Sequence, residues 1–205
     1  MRGGEDKAWA DLALLDPVDV CGRALAVFDR LDGAYVIDVF GRPVAVAPKQ
    51  RTISGTFPGW ELILKKLGYF SRLSILHYLI GARSAPLSGR LVKPEDLKAG
   101  PIYFTGSHVL PLEALAARYG RNVEEFVEQG LRLGGQRRSH GDAAVELRAF
   151  PRLPVTIILW REDEEFPARA SLLFDASCEQ HVPADILWSI AMLSVNVMKH
   201  RDSAG

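Results

Sequence analysis

The sequence lacks the features that define several large classes of protein. Lys plus Arg and Asp plus Glu number 25 each, so its overall field gives no reason to expect nucleic acid or an anionic membrane as a partner. Its two cysteines, Cys21 and Cys178, lie in neither a Cys-x-x-Cys motif nor a Cys/His cluster. A zinc ribbon or an iron–sulfur site built from this chain alone is therefore excluded, and a reducing compartment is favoured.

Long apolar runs are also missing. No stretch approaches the ~20 residues of a membrane span, and the N-terminal segment carries acids and is followed by no apolar core of signal-peptide length. We therefore expect a cytoplasmic protein with no membrane partner. A hydrophobic content of 48% over 205 residues predicts a single domain, 1–205, with an N-terminal helical segment at 1–33 and a body at 34–205.

The signatures of several common enzyme classes are absent. The sequence has no Gly-x-Ser-x-Gly, no His-Glu-x-x-His, no Walker lysine pattern and no dinucleotide fingerprint. Gly134–Arg138 offers backbone amides and two guanidiniums to an anion. Because it matches neither the Walker pattern nor the dinucleotide fingerprint, it is only weak evidence of phosphate binding. Function must therefore be sought in less regular features.

The order of patterned segments indicates an α+β fold, with a mainly antiparallel sheet packed with a central apolar helix and a C-terminal helix. Ala34–Phe40 and Pro43–Pro48 are β-rich runs that Gly41-Arg42 joins, which predicts a hairpin. Farther along, Val145–Ala149 alternates between apolar and charged residues, and Val155–Trp160 is apolar on both faces. The second of these is therefore the expected central strand.

The segment Ser71–Ile80 is predicted to be the central helix. Leu73, Leu76, His77 and Ile80 recur at i, i+3, i+4 and i+7, the spacing of one buried stripe, and the other sides are largely apolar too. This pattern places His77 inside a cavity or at its mouth. An imidazole there could bind a metal or a tetrapyrrole iron or cobalt, act as a base, or be an ordinary core histidine bonded to a carbonyl.

The last helix, which starts at Pro183, has two apolar faces. Ile186 and Ile190 begin one stripe, while Trp188 and Met192 lie on another. The second face is covered either by the N-terminal helix or by a second copy of the chain in a homodimer.

Other polar residues complete the set of candidates. His108 follows a glycine turn and could face the same pocket as His77, while Asp175 ends a strand where it either contacts a ligand or forms an Asx turn. The candidate ligand-binding residues are His77, Tyr78, His108, Trp160 and Asp175.

The acidic crossing Glu162–Glu165, between the second and third strands of 140–175, suggests a divalent cation. Asp163, Glu164 and Glu165 supply the oxygen ligands that hard cations prefer, provided that they converge. The alternative is a solvated hairpin loop.

The chain resembles a known but uncharacterised family. The residues that carry the resemblance are Leu76, His77, Tyr78, Leu79, Gly81, Trp160, Asp163, Glu164, Glu165, Phe166, Pro167, Ala170, Leu173, Phe174, Asp175, Val182 and Pro183. Together they are similar to domain of unknown function 3786, a prokaryotic family most common in anaerobes. Its members sometimes accompany the four-cysteine iron–sulfur module of corrinoid proteins, which implies a role near corrinoid or anaerobic one-carbon metabolism. This chain lacks that module, so an iron–sulfur or corrinoid protein would have to be a separate partner.

Three functions follow as hypotheses. The first is a non-catalytic small-ligand or cofactor-binding accessory protein, with His77 as the polar contact of a pocket and a corrinoid or haem as a ligand that the resemblance suggests. The second is a divalent-metal-dependent enzyme that uses the acidic crossing and Asp175. The third is a protein-interaction module that uses the C-terminal helix.

Overall fold

The computed structural model describes residues 2–104 and 109–200, which fold into two antiparallel sheets and a layer of helices, the predicted α+β class. The α-helices are α1 (Arg2–Leu14), α2 (Pro17–Ala24), α3 (Gly68–Gly81), α4 (Gly100–Tyr103), α5 (Leu112–Tyr119), α6 (Val123–Arg132) and α7 (Ala184–Lys199). The strands are β1 (Val27–Asp29), β2 (Ala34–Val39), β3 (Arg42–Ala47), β4 (Thr52–Ser54), β5 (Leu91–Val92), β6 (Gln136–Arg138), β7 (Ala143–Phe150), β8 (Leu153–Trp160) and β9 (Arg169–Asp175). A π-helical segment spans Leu62–Lys66, and short 3-10 turns span Pro94–Asp96 and Cys178–Gln180.

The larger sheet has the order β5-β9-β8-β7-β6. Every residue of β8 except Trp160 is buried, which confirms it as the central strand. The inner face of the sheet, which includes Val155 and Ile157, is buried in the main core, where α5, α6 and α7 contact the sheet. Gly134–Arg138, considered above for anion binding, contains β6, which pairs with β7 from Gln136 to Arg138.

The smaller sheet has the order β1-β2-β3-β4, and its hairpin turn differs from the prediction. Val39 pairs with Arg42, so the two turn residues are Phe40 and Gly41 rather than Gly41 and Arg42. Both have positive φ, 51° and 66°, the combination that a type I′ turn requires.

Residues 1–33 were expected to be helical, but the helices of this segment end at Ala24. Leu25 takes a left-handed conformation (φ 55°) and its N–H bonds the Cys21 carbonyl, which ends α2. The chain then enters β1, which pairs with β2, so Val27 and Phe28 belong to the sheet.

The central helix is present, but Leu76 is the one residue of the predicted stripe that is fully buried. Ile75, Tyr78 and Leu79 are fully buried, whereas His77 is only half-buried. α3 packs against α1 and α7, which cover its two sides. His77 therefore lies at an edge between helices and not in the core.

α7 is buried over most of its surface by the same chain. Its core residues include Leu187, Leu193 and Val195, and Trp188 makes an edge contact with Phe70 of α3 at 5.7 Å between ring centroids. α3 thus covers part of the apolar face on which the interaction hypothesis depends, and that hypothesis stays a prediction. No helix of residues 2–104 and 109–200 has the length and apolar character needed to cross a bilayer.

Candidate functional site

An aromatic groove lies between α3 and α7, next to the start of α1 and the end of α4. It encloses about 470 Å³. The residues of this aromatic groove that bear on function are Glu5, Tyr69, Arg72, Tyr103, Asp185 and Trp188. Aromatic walls around a concavity with a few polar groups are typical of small-ligand sites.

The aromatic walls are partly preformed. Tyr69 is 60% exposed, and its ring meets Phe70 edge-on at 5.0 Å between centroids. Phe70 in turn contacts Trp188, so α3 and α7 share one aromatic cluster. Such edge contacts fix the orientation of the rings that face the groove.

The groove has three charged side chains, of which Glu5 and Arg72 pair with each other and Asp185 does not pair with either. Arg72 donates from Nε and Nη2 to one oxygen of Glu5 at 3.0 and 2.5 Å, and Trp9 donates to the same oxygen at 3.1 Å. The bond from Arg72 outweighs burial and lowers the pKa of Glu5. Asp185 forms no ion pair with Lys or Arg in the described residues, so its carboxylate is the groove's charge without a salt bridge.

His77 lies one helical turn beyond Leu73 on α3, outside the residues that line the groove. Burial lowers the pKa of His77, while the carboxylates of Asp185 and Asp11 act in the opposite direction. The histidine therefore neighbours the groove's acid, but its ring is not among the groove-lining side chains. A tetrapyrrole bound through an axial histidine requires an imidazole that faces the cavity, and His77 does not line the groove. The groove therefore does not fit such a ligand.

The other predicted ligand residues are dispersed. Tyr78 is fully buried: its hydroxyl donates to Ala24 O at 3.3 Å and accepts from the Arg152 N–H at 3.0 Å. Its ring stacks on Phe150 at 4.6 Å, so its role in the structure is core packing. His108 lies outside the described residues.

Trp160 and Asp175 lie on the larger sheet but do not share a site. The register pairs Trp160 with Arg169, at the opposite end of the β8–β9 ladder from Asp175. Six residues along β8 separate the two positions, about 20 Å at ~3.3 Å per residue. The Trp160 ring is covered by the Arg169 guanidinium at 4.2 Å.

The acidic crossing is a solvated turn that does not reach Asp175. Asp163 accepts the N–H groups of Glu165 and Phe166 at 2.9 and 2.8 Å, and these two bonds lower its pKa. Glu164 and Glu165 are exposed. Among residues 2–104 and 109–200, no three His, Cys, Asp or Glu side chains are placed to hold a metal ion. The convergence that the metal hypothesis required is therefore missing.

Asp175 is an anchor for the strap, the segment 82–90 that leads from α3 to β5. One carboxylate oxygen accepts the N–H and hydroxyl of Ser88 and the same two groups of Ser177, at 2.6 to 2.9 Å. The other oxygen accepts the Gly89 N–H at 2.8 Å. Burial alone would raise the pKa of Asp175, but these bonds outweigh it and lower the pKa to about 2. The contact with Ser177 is the Asx turn that was the alternative to ligand binding.

His181, just before α7, is a fully buried histidine that the sequence did not reveal. It is 1% exposed, and its Nδ1 accepts the Arg83 N–H at 3.2 Å, while Nε2 has no partner in the described structure. Burial lowers the pKa of His181, as does the nearby Arg152. Its contact is 98 residues away in sequence, so no local pattern could have identified it.

The family match covers most of the chain. Residues 16–197 match the family described as Domain of unknown function (DUF3786), and the chain belongs to that family. No curated protein and no solved structure matches it.

Proposed function

We propose that this protein is a non-catalytic small-ligand-binding protein and that the aromatic groove is its binding site. The observation that carries this proposal is the convergence of Tyr69, Tyr103 and Trp188 on one concavity that also holds the Asp185 carboxylate. Aromatic faces and a carboxylate both attract positive charge. The ligand class is therefore a planar ring that carries an ammonium or another cationic N–H group.

The charge of the groove disfavours an anionic ligand. Arg72 is already neutralised by Glu5 at 2.5 Å, so an anionic ring would meet Asp185 without a free cation to balance it. A corrinoid or haem bound through His77 is not supported by this geometry, and the association with corrinoid metabolism stays a prediction from the resemblance. An absorption spectrum with added cobalamin or haem, repeated on His77→Ala, tests that prediction separately.

The test of the groove compares two ligands that have the same ring and opposite charges. Isothermal titration of the full chain with tryptamine and with indole-3-propionate compares a cation and an anion of the same ring system. We expect tryptamine to bind at one site and the propionate to bind at least about tenfold more weakly, a difference of about 1.4 kcal/mol.

Two variants locate the site. Asp185→Asn should remove the preference for tryptamine, and Tyr69→Ala should weaken binding of either ring, since Tyr69 is exposed enough to be truncated without opening the core. Phe166→Ala is the matched control, because Phe166 is 65% exposed and lies in the acidic crossing. Equal binding of the two ligands, or an equal loss in the Phe166 variant, would contradict the proposal.

A further inference from the structure

A second cavity, remote from the aromatic groove, lies where the β2–β3 hairpin, the π-helical segment, α6 and the end of α7 meet. It encloses about 240 Å³. This two-arginine pocket is defined by Phe40, Phe57 and Leu62 on its apolar side and by Arg42, Arg132 and His200 on its polar side. No Asp or Glu lines it among the described residues.

Both guanidiniums have donors to spare. Arg132 donates from Nε and Nη2 to the Gln129 amide oxygen at 3.2 and 2.7 Å, and Arg42 donates from Nη2 to the Arg132 carbonyl at 3.2 Å. A guanidinium has five N–H donors, so each arginine retains several. Neither forms an ion pair with a carboxylate of residues 2–104 and 109–200.

Gln129 holds the charged side of the pocket in place. The residue is 5% exposed, and its amide nitrogen donates to the carbonyls of Val197 and His200 at 3.1 and 3.4 Å. The same amide therefore ties α6 to the end of α7 and orients Arg132. A charged group that is fixed before a ligand arrives loses little conformational entropy when the ligand binds.

The apolar side contains two departures from regular backbone geometry. Phe40 has φ 51° although it is a bulky residue and 1% exposed, in a turn position that Asn or Gly would occupy without strain. Leu62 begins the π-helical segment, a conformation frequent at functional sites. Strain of this kind persists where the surroundings enforce it, and both departures border the same cavity.

We propose that the two-arginine pocket binds a small organic carboxylate with an apolar body. The carboxylate is held by Arg42 and Arg132, since a guanidinium fork matches its two oxygens, and the body packs against Phe40 and Phe57. A volume of 240 Å³ equals about eight waters at ~30 Å³ each, so the pocket has room for a ligand of about eight heavy atoms. Benzoate and hexanoate are probes of that size.

The test compares benzoate with its neutral isostere benzamide by isothermal titration of the full chain. We expect one benzoate site and binding of benzamide at least about tenfold weaker, since only the carboxylate engages both guanidiniums. Arg42→Gln and Arg132→Gln should each weaken benzoate binding by about tenfold or more and leave benzamide binding unchanged.

Arg148→Gln is the matched control, because Arg148 is exposed on β7 and does not line the pocket. It should change benzoate affinity less than about twofold. Three outcomes overturn the proposal: no saturable binding of benzoate or hexanoate in the millimolar range, equal affinity for benzoate and benzamide, or an equal loss in the Arg148 variant. If a pocket variant does not fold, as circular dichroism would show, the comparison of the two ligands on the unmodified protein decides.

Discussion

Replacing Asp175 by Asn tests whether the strap is held by charge-assisted hydrogen bonds. The carboxylate accepts five bonds, and Asn keeps only one oxygen in the same shape. If that oxygen stays toward Ser88 and Ser177, the new amide group faces the Gly89 N–H, donor against donor. The substitution therefore removes the charge from four bonds and breaks the fifth.

The magnitude follows from the pKa of Asp175. The folded protein lowers it from 3.8 to about 2, nearly two pKa units. At 1.36 kcal/mol per unit, the ionised side chain contributes about 2 kcal/mol to the free energy of unfolding at neutral pH. The unsatisfied Gly89 N–H adds about 1 kcal/mol, so the expected destabilisation of Asp175→Asn is about 3 kcal/mol.

The pH dependence has a defined sign. Because the pKa is lowered by folding, the unfolded chain takes up a proton at Asp175 before the native protein does. The stabilisation is complete well above 3.8 and is lost as the pH falls toward about 2. At pH 3 about 1 kcal/mol of it should be gone.

The measurement is the free energy of unfolding by urea at several pH values between 7 and 3, for the unmodified protein and for Asp175→Asn. All other acids titrate alike in the two proteins, so their effect cancels in the difference between the two free energies of unfolding. That difference should shrink by about 1 kcal/mol between pH 7 and pH 3. Asp38→Asn is the control, since Asp38 is exposed and its carboxylate forms no ion pair within the described part of the chain. A pH-independent difference, or an equal cost in Asp38→Asn, would refute the reasoning.

Two further predictions concern the packing of the core, and each is measured by the urea midpoint of unfolding. Gly130→Ala should lower the free energy of unfolding by about 1–3 kcal/mol, because the new Cβ would lie 2.6 Å from the Val145 side chain. Gly22→Ala is the control: Gly22 is also helical but has open space around it, so the substitution should raise the free energy of unfolding by up to ~1 kcal/mol. Similar effects of the two would contradict the close contact of α6 with β7. Tyr78→Phe should cost about 1–3 kcal/mol, because it leaves the Arg152 N–H without its acceptor at 3.0 Å; an unchanged midpoint would mean that water replaces the hydroxyl.

The strands could be predicted from the sequence because alternation fixes which face is buried. β8, apolar on both faces except at Thr156, was recognised as the central strand, and β7 and β9 flank it. The orientation of α3 could not be predicted, since a helix that is apolar nearly all round gives no preferred direction. Its buried face is set by α1 and α7, and this turned His77 away from the core and Tyr78 into it.

The candidate sites were harder to predict because their residues come from distant parts of the chain. Arg42 reaches the Arg132 carbonyl across 90 residues, and Asp175 reaches Ser88 across 87. Neither residue type is unusual in its own local sequence. Asp175 was recognised as a polar residue at the end of a strand, but its partners, and hence its role as an anchor, depend on a strap that only the folded structure brings to it.

The two proposed sites lie at opposite ends of α7, and this separation makes them independent tests. Asp185 and Trp188 are at its start, and Val197 is near its end, in a helix of 16 residues or about 24 Å at ~1.5 Å per residue. Substitutions more than ~10 Å apart with no shared partner act additively. Arg42→Gln should therefore leave tryptamine binding unchanged. A measured coupling would point to α7, which borders both sites, or to Leu62–Lys66, which borders the two-arginine pocket and is followed in the chain by α3.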